Sequence, residues 1–364
     1  MAEPINTKTN SLPSGEPEGA ICWGIIGCGD VTELKSGPAF QKTEHSQLVA
    51  VMRRDAKKAE DYARRHGVPK WYAHADDLIN DPQINAIYVA TPPGSHADYA
   101  IRAMRAGKPV YVEKPMATSF AECRQMLKVS NETGMPLFVA YYRRTLPAYL
   151  MVKELIGSGI LGDILTVSII LHKAADERDR EPEAHKNWRL DAKTAGGGLF
   201  YDLASHQFDF LDFLFGPITE CKGLAYNQAG YYNVEDTVTA AFTFENGVTG
   251  TGNWCFVVDK SAEQDKIEIV GTKGKASLPC FIHGSVELTT AAGTEHFNFT
   301  NPENISHNLV KNVVKALRGE EAAVSTGESA ARTNAVLEDI VKDFYKNKTS
   351  QQVPKREKAS CRTD

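Results

Sequence analysis

After a polar start, the chain settles into short apolar runs separated by longer amphipathic stretches. The runs at residues 21–26 (ICWGII), 46–52 (SQLVAVM), 86–90 (AIYVA), 108–112 (KPVYV) and 137–141 (LFVAY) have strand length. They are apolar at successive positions, as strands covered on both faces must be. Helix signals fill the gaps. Asp55 caps residues 55–66 and Gly67 stops them; Ser95 opens a segment through Ala106 that Gly107 closes; Ser119 and Glu122 form a capping box for a helix stopped by Gly134. Strands alternating with helices at this period predict a parallel, doubly wound α/β sheet, which gathers ligands at the carboxyl ends of its strands.

Beyond residue 143 the pattern changes. Pro147 sits at the first turn of a helix ending near Gly157, and residues 164–172 (ILTVSIILH) read as one long strand. Residues 173–198 are polar and largely aperiodic, a length that in a compact domain usually marks function or disorder. Gly196-Gly197-Gly198 then opens a helix over 199–215, ended by Gly216-Pro217. From residue 219 alternation with turns dominates. Strands are predicted at 237–244, 248–256 across an Asn246-Gly247 hairpin, 266–270, 275–278, 285–290 and 295–299, followed by helices at 305–317 and 328–346. This predicts a C-terminal α+β domain with a large, mainly antiparallel, open-faced sheet. Its uncovered face needs a partner, so a homo-oligomer is expected.

A chain of 364 residues exceeds what one hydrophobic core usually organises, which fits two domains. The net charge of -5 argues against nucleic acid or an anionic membrane as partner and leaves a small molecule. Seven scattered cysteines with no Cys-x-x-Cys pair suit reduced thiols and imply neither a disulfide framework nor a metal cage. The first 19 residues lack a signal-peptide apolar core, and no run approaches the roughly 18 apolar residues of a membrane helix, so a cytoplasmic protein is expected.

Chemistry enters at the strand ends. The first apolar run leads into Gly27-Cys28-Gly29-Asp30-Val31, with Thr32 where a third glycine would complete a dinucleotide fingerprint; glycines there let backbone N–H groups approach a pyrophosphate. Arg53-Arg54 follows the second strand, where an NAD enzyme would carry Asp or Glu to read the ribose, so NADP is the expected cofactor and NAD the alternative. Lys114, within Glu113-Lys114-Pro115, places a charge at the end of a buried strand, a position that usually carries chemistry. On the 199–215 helix Asp202 and His206 are four apart and share a face, with Asp209 three further on. His96 follows the third strand on the same rim, and Trp188-Arg189 are conspicuous in the long polar segment. The expected layout is a disordered arm at 1–19, a dinucleotide-binding domain at 20–143, an α+β substrate and oligomerisation domain at 144–349, and a loose tail at 350–364.

These motifs, in this order over roughly residues 20 to 346, resemble the glucose-fructose oxidoreductase, inositol 2-dehydrogenase and rhizopine-catabolism (Gfo/Idh/MocA) family. The resemblance implies an N-terminal Rossmann domain, dimer or tetramer contacts through the C-terminal sheet, and pyridine-nucleotide oxidoreduction of sugars, polyols or related compounds. It implies that Lys114 contacts the substrate hydroxyl and nicotinamide ribose and that His206, paired with Asp202, is the acid/base. Thr91, Pro92, His96 and Glu113 match cofactor-lining positions, and Trp188-Arg189 match a pair that contacts the cofactor in some members. Tyr141-Tyr142 stands where many members carry Asn or His, which puts Tyr142 on the substrate side. Two other activities are compatible with the resemblance: a glycosidase that oxidises its sugar transiently with a tightly held nucleotide, and a nucleotide-sensing regulator that has lost catalysis.

Overall fold

The computed structural model describes residues 19–180 and 187–350; nearly all of the expected arm and tail lie outside them. The first sheet is wholly parallel and comprises β1 (Ile21–Ile26), β2 (Ser46–Met52), β3 (Lys70–Tyr72), β4 (Ala86–Val89), β5 (Val110–Val112) and β6 (Leu137–Val139), in the order β3-β2-β1-β4-β5-β6. The chain therefore winds outward from β1 in both directions. Its crossovers are α1 (Asp30–Leu34) with α2 (Gly37–Lys42), then α3 (Ala56–His66), α4 (Ala75–Ile79), α5 (His96–Arg105) and α6 (Phe120–Thr133).

Two of the three predicted N-caps form; Ser95 stands at the start of α5 but makes no capping bond, because its hydroxyl donates back to Thr91 Oγ1 at 2.8 Å. Asp55 accepts the Lys58 N–H at 3.3 Å and Gly67 closes α3 at φ +64°. Ser119 accepts the Glu122 N–H at 3.3 Å, while Glu122 reaches back one residue further than a capping box requires, to the Thr118 N–H and hydroxyl at 3.0 and 2.6 Å. Alternate strand residues enter opposite cores. Trp23, Ile25, Tyr88 and Tyr111 join Phe40 and Tyr62 on one face, and Ile26, Ile87, Val89 and Val112 join Met104 and Met126 on the other. Burial on both faces is the physical origin of the continuous apolar runs.

The second sheet comprises β7 (Ile164–Ala174), β8 (Ile218–Tyr226), β9 (Thr237–Phe244), β10 (Thr249–Val258), β11 (Gln264–Gly271), β12 (Gly274–Leu278), β13 (Val286–Thr290) and β14 (Gly293–Phe297). Its order is β14-β13-β12-β11-β7-β10-β9-β8, and only the β7–β10 pair is parallel. One face packs beneath α7 (Pro147–Gly157) and α9 (Leu199–Phe215), which is preceded by the short α8 (Ala192–Ala195). The long polar segment carries two further short helical turns, Glu177–Arg180 and Trp188–Leu190.

The last two helices serve both sheets. In α10 (His307–Leu317), Leu309, Val313 and Leu317 enter the same core as Trp23. In α11 (Gly327–Ser350), Ala330 and Ala331 pack under the first sheet while Leu337 and Val341 pack under the second. Both come from the stretch assigned by sequence to the second domain, yet α10 completes the first sheet's core.

Arg144, in the turn after β6, locks the sheets together. Only 5% exposed, it grips Asp209 of α9 with two bonds of 2.7 and 2.9 Å, lies 3.3 Å from Asp212 and donates to the Val324 carbonyl at 2.9 Å. Removing one partner of a buried ion pair leaves the other charge uncompensated. Arg144→Met is therefore expected to destabilise the protein by about 3–5 kcal/mol, read from urea unfolding of the full chain; a loss below about 1 kcal/mol, the range of exposed pairs, would contradict the assigned role.

Candidate active site

A cleft of about 700 Å³ lies along the carboxyl rim of the first sheet, between it and α9. The turn after β1 forms its floor. Gly27 holds φ +96°, and a Cβ there would sit 2.7 Å from Thr91 Cγ2 and 3.0 Å from the Ala90 carbonyl carbon. At Gly29 a Cβ would meet no atom nearer than the Gly27 oxygen at 4.0 Å, so a ligand can approach that backbone closely. The missing third glycine is explained by Thr32, whose hydroxyl donates to the Gly29 carbonyl at 2.7 Å and whose carbonyl accepts from Tyr62 at 2.8 Å. Close packing falls instead to Gly37, where a Cβ would overlap the Thr32 oxygen and the Tyr62 hydroxyl.

Gly27, Gly29, Asp30, Val31, Arg53, Arg54, Thr91, Pro92, Glu113, Lys114, Tyr142, Trp188, Arg189, Asp202 and His206 all line this cleft. Two expected cofactor-lining residues do not. Cys28 is wholly buried, because its side chain points back into the core that holds Trp23 and Phe40. His96 is also wholly buried, its ring nitrogens 3.0 Å from the Pro115 oxygen and 2.6 Å from the Thr91 oxygen, so it braces the β4 loop against the Glu113-Lys114-Pro115 turn from behind.

At the centre Lys114 donates to the Asp202 carboxylate at 2.5 Å and to the Asp202 carbonyl at 3.0 Å. Arg189 reaches the other Asp202 oxygen at 3.1 Å and stacks on Trp188, its guanidinium carbon 4.4 Å from the ring centroid. Burial would raise the Asp202 pKa, but Lys114 and Arg189 outweigh it and hold the carboxyl below its usual range. The partner of Asp202 is thus Lys114, not His206 as the helical spacing suggested: both oxygens are turned to the cations, away from the next helical turn.

His206 stands in an aromatic frame, edge-on to Tyr141, Tyr142 and Phe281 with centroids 6.1, 5.4 and 5.9 Å away. Its Nδ1 is buried without a hydrogen-bond partner among the described residues. Burial, then the charges of Arg143, Lys114 and Lys35, push its pKa well below the ordinary 6.5, so the imidazole is neutral at neutral pH. Behind Lys114, Glu113 accepts from Tyr88 at 2.5 Å and from the Lys114 N–H at 3.2 Å, and burial raises its pKa. Lys35, Tyr99, Arg143, Phe281 and Ser306 also line the cleft and were missed in the sequence. They come from separate segments, and only the Tyr-Tyr-Arg-Arg run gave any local signal, for Arg143.

Two family profiles match the chain. Residues 21–141 match the oxidoreductase family with an NAD-binding Rossmann fold, and residues 149–277 match the GFO/IDH/MocA C-terminal domain. The chain belongs to the Gfo/Idh/MocA family of oxidoreductases. It is 36% identical to Oxidoreductase P35 of Formosa agariphila over 323 residues, 88% of this chain and 98% of that one. It is 31% identical to the trans-1,2-dihydrobenzene-1,2-diol dehydrogenase of Bos taurus, covering 79% of this chain and 86% of the relative. A solved levoglucosan dehydrogenase in complex with NADH shares the fold, with a TM-score of 0.80 at 21% identity, over 90% of this chain and 97% of that one.

The N-terminal profile is that of an oxidoreductase with an NAD-binding Rossmann fold, and the glycine cradle tests whether a pyridine nucleotide suits this chain. It does: the Gly27–Val31 turn offers open backbone at Gly29 and, at the start of α1, N–H groups that precede the helical ladder.

The depressed His206 pKa sets a pH dependence. The neutral imidazole accepts a proton, and it is lost only when pH falls through the folded-state pKa, which lies well below 6.5. In alcohol oxidation, kcat/KM is therefore expected to show no histidine-like acid limb at or above pH 6.5; a limb there would mean that His206 titrates as an ordinary histidine.

Proposed function

We propose that the enzyme transfers hydride between a nicotinamide nucleotide and the secondary alcohol or ketone of a sugar, polyol or related ring compound. The convergence of Lys114, Asp202 and neutral His206 on a cleft floored by the glycine turn carries this reading. The cyclic diol in the name of the bovine relative is of the same substrate class. When bound, the nicotinamide supplies the hydride acceptor or donor. The protein's own task is the proton and the position of the carbon. Neutral His206 takes the proton from the substrate hydroxyl in oxidation and returns it in reduction. The Lys114 ammonium, fixed by Asp202, stabilises the developing alkoxide or polarises the ketone. Trp188 and Arg189 form the wall over the Asp202 side. We further propose a homodimer or homotetramer through the uncovered face of the second sheet, where Leu224 and Tyr226 of β8 are 64% and 56% exposed.

His206→Ala is expected to lower kcat by about 10²-fold or more with nucleotide affinity near wild type, as for loss of a general acid/base; turnover within threefold of wild type would remove His206 from the mechanism. Bulk release of reduced nucleotide in the same assay separates a dehydrogenase from a glycosidase that recycles its cofactor.

The nucleotide is proposed to be NADP. Arg53 and Arg54 both line the cleft beyond β2, and Arg53 donates to the Cys28 carbonyl at 3.2 Å, which holds its guanidinium beside the glycine turn. The nearest following carboxylate, Asp55, is engaged in capping α3 and does not face the cleft. A guanidinium here pairs with a 2′-phosphate through charged bonds, favouring NADP by roughly 10- to 100-fold if one arginine engages. Arg53→Asp should reverse or abolish that ratio of kcat/KM values. Equal values for both nucleotides in the wild type would refute the assignment.

A further inference from the structure

Adjacent arginines after β6 meet burial in opposite ways. Arg143 and Arg144 are 6% and 5% exposed. Arg144 is neutralised by Asp209 and Asp212. Arg143 has no carboxylate partner among the described residues. Its Nε donates to the Tyr149 hydroxyl at 3.0 Å and the Cys280 carbonyl at 3.2 Å, its Nη2 to the same carbonyl at 2.9 Å, and its Nη1 to the Tyr142 hydroxyl at 2.9 Å. All of these are neutral oxygens. A guanidinium has five N–H groups, so one on each terminal nitrogen is left over. Burying a charge without a counter-charge is costly unless something else supplies it.

The guanidinium is held rigidly for such a purpose. Tyr142 and Phe281 stack on it at 5.0 and 4.8 Å, the same two rings that flank His206. The segment carrying Phe281 and the Cys280 carbonyl is braced by Asp265, whose carboxylate accepts the N–H groups of Cys280, Phe281 and Ile282 at 3.0, 2.5 and 3.0 Å. Asp265 thus spends its charge on backbone and leaves Arg143 unanswered. The cleft as a whole is lined by six basic side chains and three acidic ones, and Asp202 already serves two of the six, Lys114 and Arg189. Of the cations whose charge bears on His206, Lys114 is paired with Asp202 and Lys35 is exposed to solvent, so the buried one without a carboxylate partner among the described residues is Arg143.

We infer that the substrate carries a carboxylate, which Arg143 receives, so that the enzyme acts on a sugar acid of the uronate or aldonate class rather than on a neutral sugar. The inference rests on the oxidoreductase reading for the alcohol chemistry, but the anion pocket stands on its own geometry. A carboxylate presents two oxygens to the two remaining N–H groups, a match that a single hydroxyl cannot make. The shared aromatic frame places the bound carboxylate on the same side of the cleft as the imidazole that handles the hydroxyl proton.

The test is a binding titration of the enzyme complexed with reduced nucleotide, followed by nucleotide fluorescence. The probes are D-glucuronate, D-galacturonate, D-gluconate, D-glucose, D-galactose and D-glucose 6-phosphate. At least one acid is expected to bind 30-fold or more tightly than its neutral counterpart and than the phosphate ester. Arg143→Gln should bring that preference to within threefold of unity while nucleotide affinity changes by less than threefold. Should the Gln variant not fold, Arg143→Lys, which keeps charge but loses the planar fork, is expected to reduce the preference at least fivefold. Equal or weaker binding of every acid, tighter binding of the phosphate ester, or a preference unchanged in either variant would overturn the inference. Turnover of the same panel separates the two readings. Oxidation of neutral sugars with no advantage for the acids removes the carboxylate and leaves the oxidoreductase; Arg143-dependent binding of an acid with no nucleotide reduction by any compound does the reverse.

Discussion

The contact between Lys114 and Asp202 holds the site together. It joins the carboxyl end of a strand in the first sheet to the first turn of α9 under the second, with both side chains only 13% exposed. Either charge alone would be expensive at that burial, so each fixes the other, and the 2.5 Å bond sets how far apart the two halves of the cleft can stand. Arg189 occupies the remaining Asp202 oxygen, which commits the carboxylate fully and holds the Trp188–Arg189 segment over the cleft. One turn further along α9, His206 is then placed without a polar tether among the described residues: its position follows from helix geometry and from the three rings around it.

That arrangement explains why the histidine is neutral. A carboxylate bonded to His206 would raise its pKa and favour the imidazolium; here the neighbouring carboxylate is occupied and the nearby charges are cations. The site thus keeps a proton acceptor and a fixed ammonium side by side. If Asp202 turned to His206 instead, both properties would weaken together, since the lysine would lose its anchor as the imidazole gained a charge.

The sequence conveys the parts of this that are local. Five strands of the first sheet are buried on both faces and announce themselves as apolar runs; β3, a three-residue edge strand with half-exposed side chains, does not. β8 escapes for a related reason, as an edge strand whose outward side includes Leu224 and Tyr226, so that its apolar positions do not alternate cleanly. In the site, the glycine turn and the Asp202–His206 spacing are legible because they lie within single elements. Partnership is not: Lys114 and Asp202 are 88 residues apart, and no periodicity could show that Asp202 prefers the lysine. Cys28 is next to cleft residues in the chain and behind them in space, because one step along the glycine turn reverses the side-chain direction. His96, at the start of α5, instead turns its ring to the Thr91 and Pro115 carbonyls behind the cleft.

Arg143 and Arg144 show how little composition says about electrostatics. They are neighbours with the same charge and nearly the same burial, yet one is bound by two carboxylates of α9 and the other by four bonds to neutral oxygens. The difference arises from direction. The turn after β6 sends Arg144 toward the polar side of α9, where Asp209 and Asp212 wait beneath Val324, and sends Arg143 toward the loop at Cys280, whose backbone carbonyl points inward because Asp265 has captured the N–H groups of that loop. A carboxylate committed to a loop in one place thus creates an unanswered cation in another. The first arginine stabilises the fold through charges the chain supplies itself, whereas the second leaves at the wall of the cleft a positive charge that no carboxylate among the described residues answers.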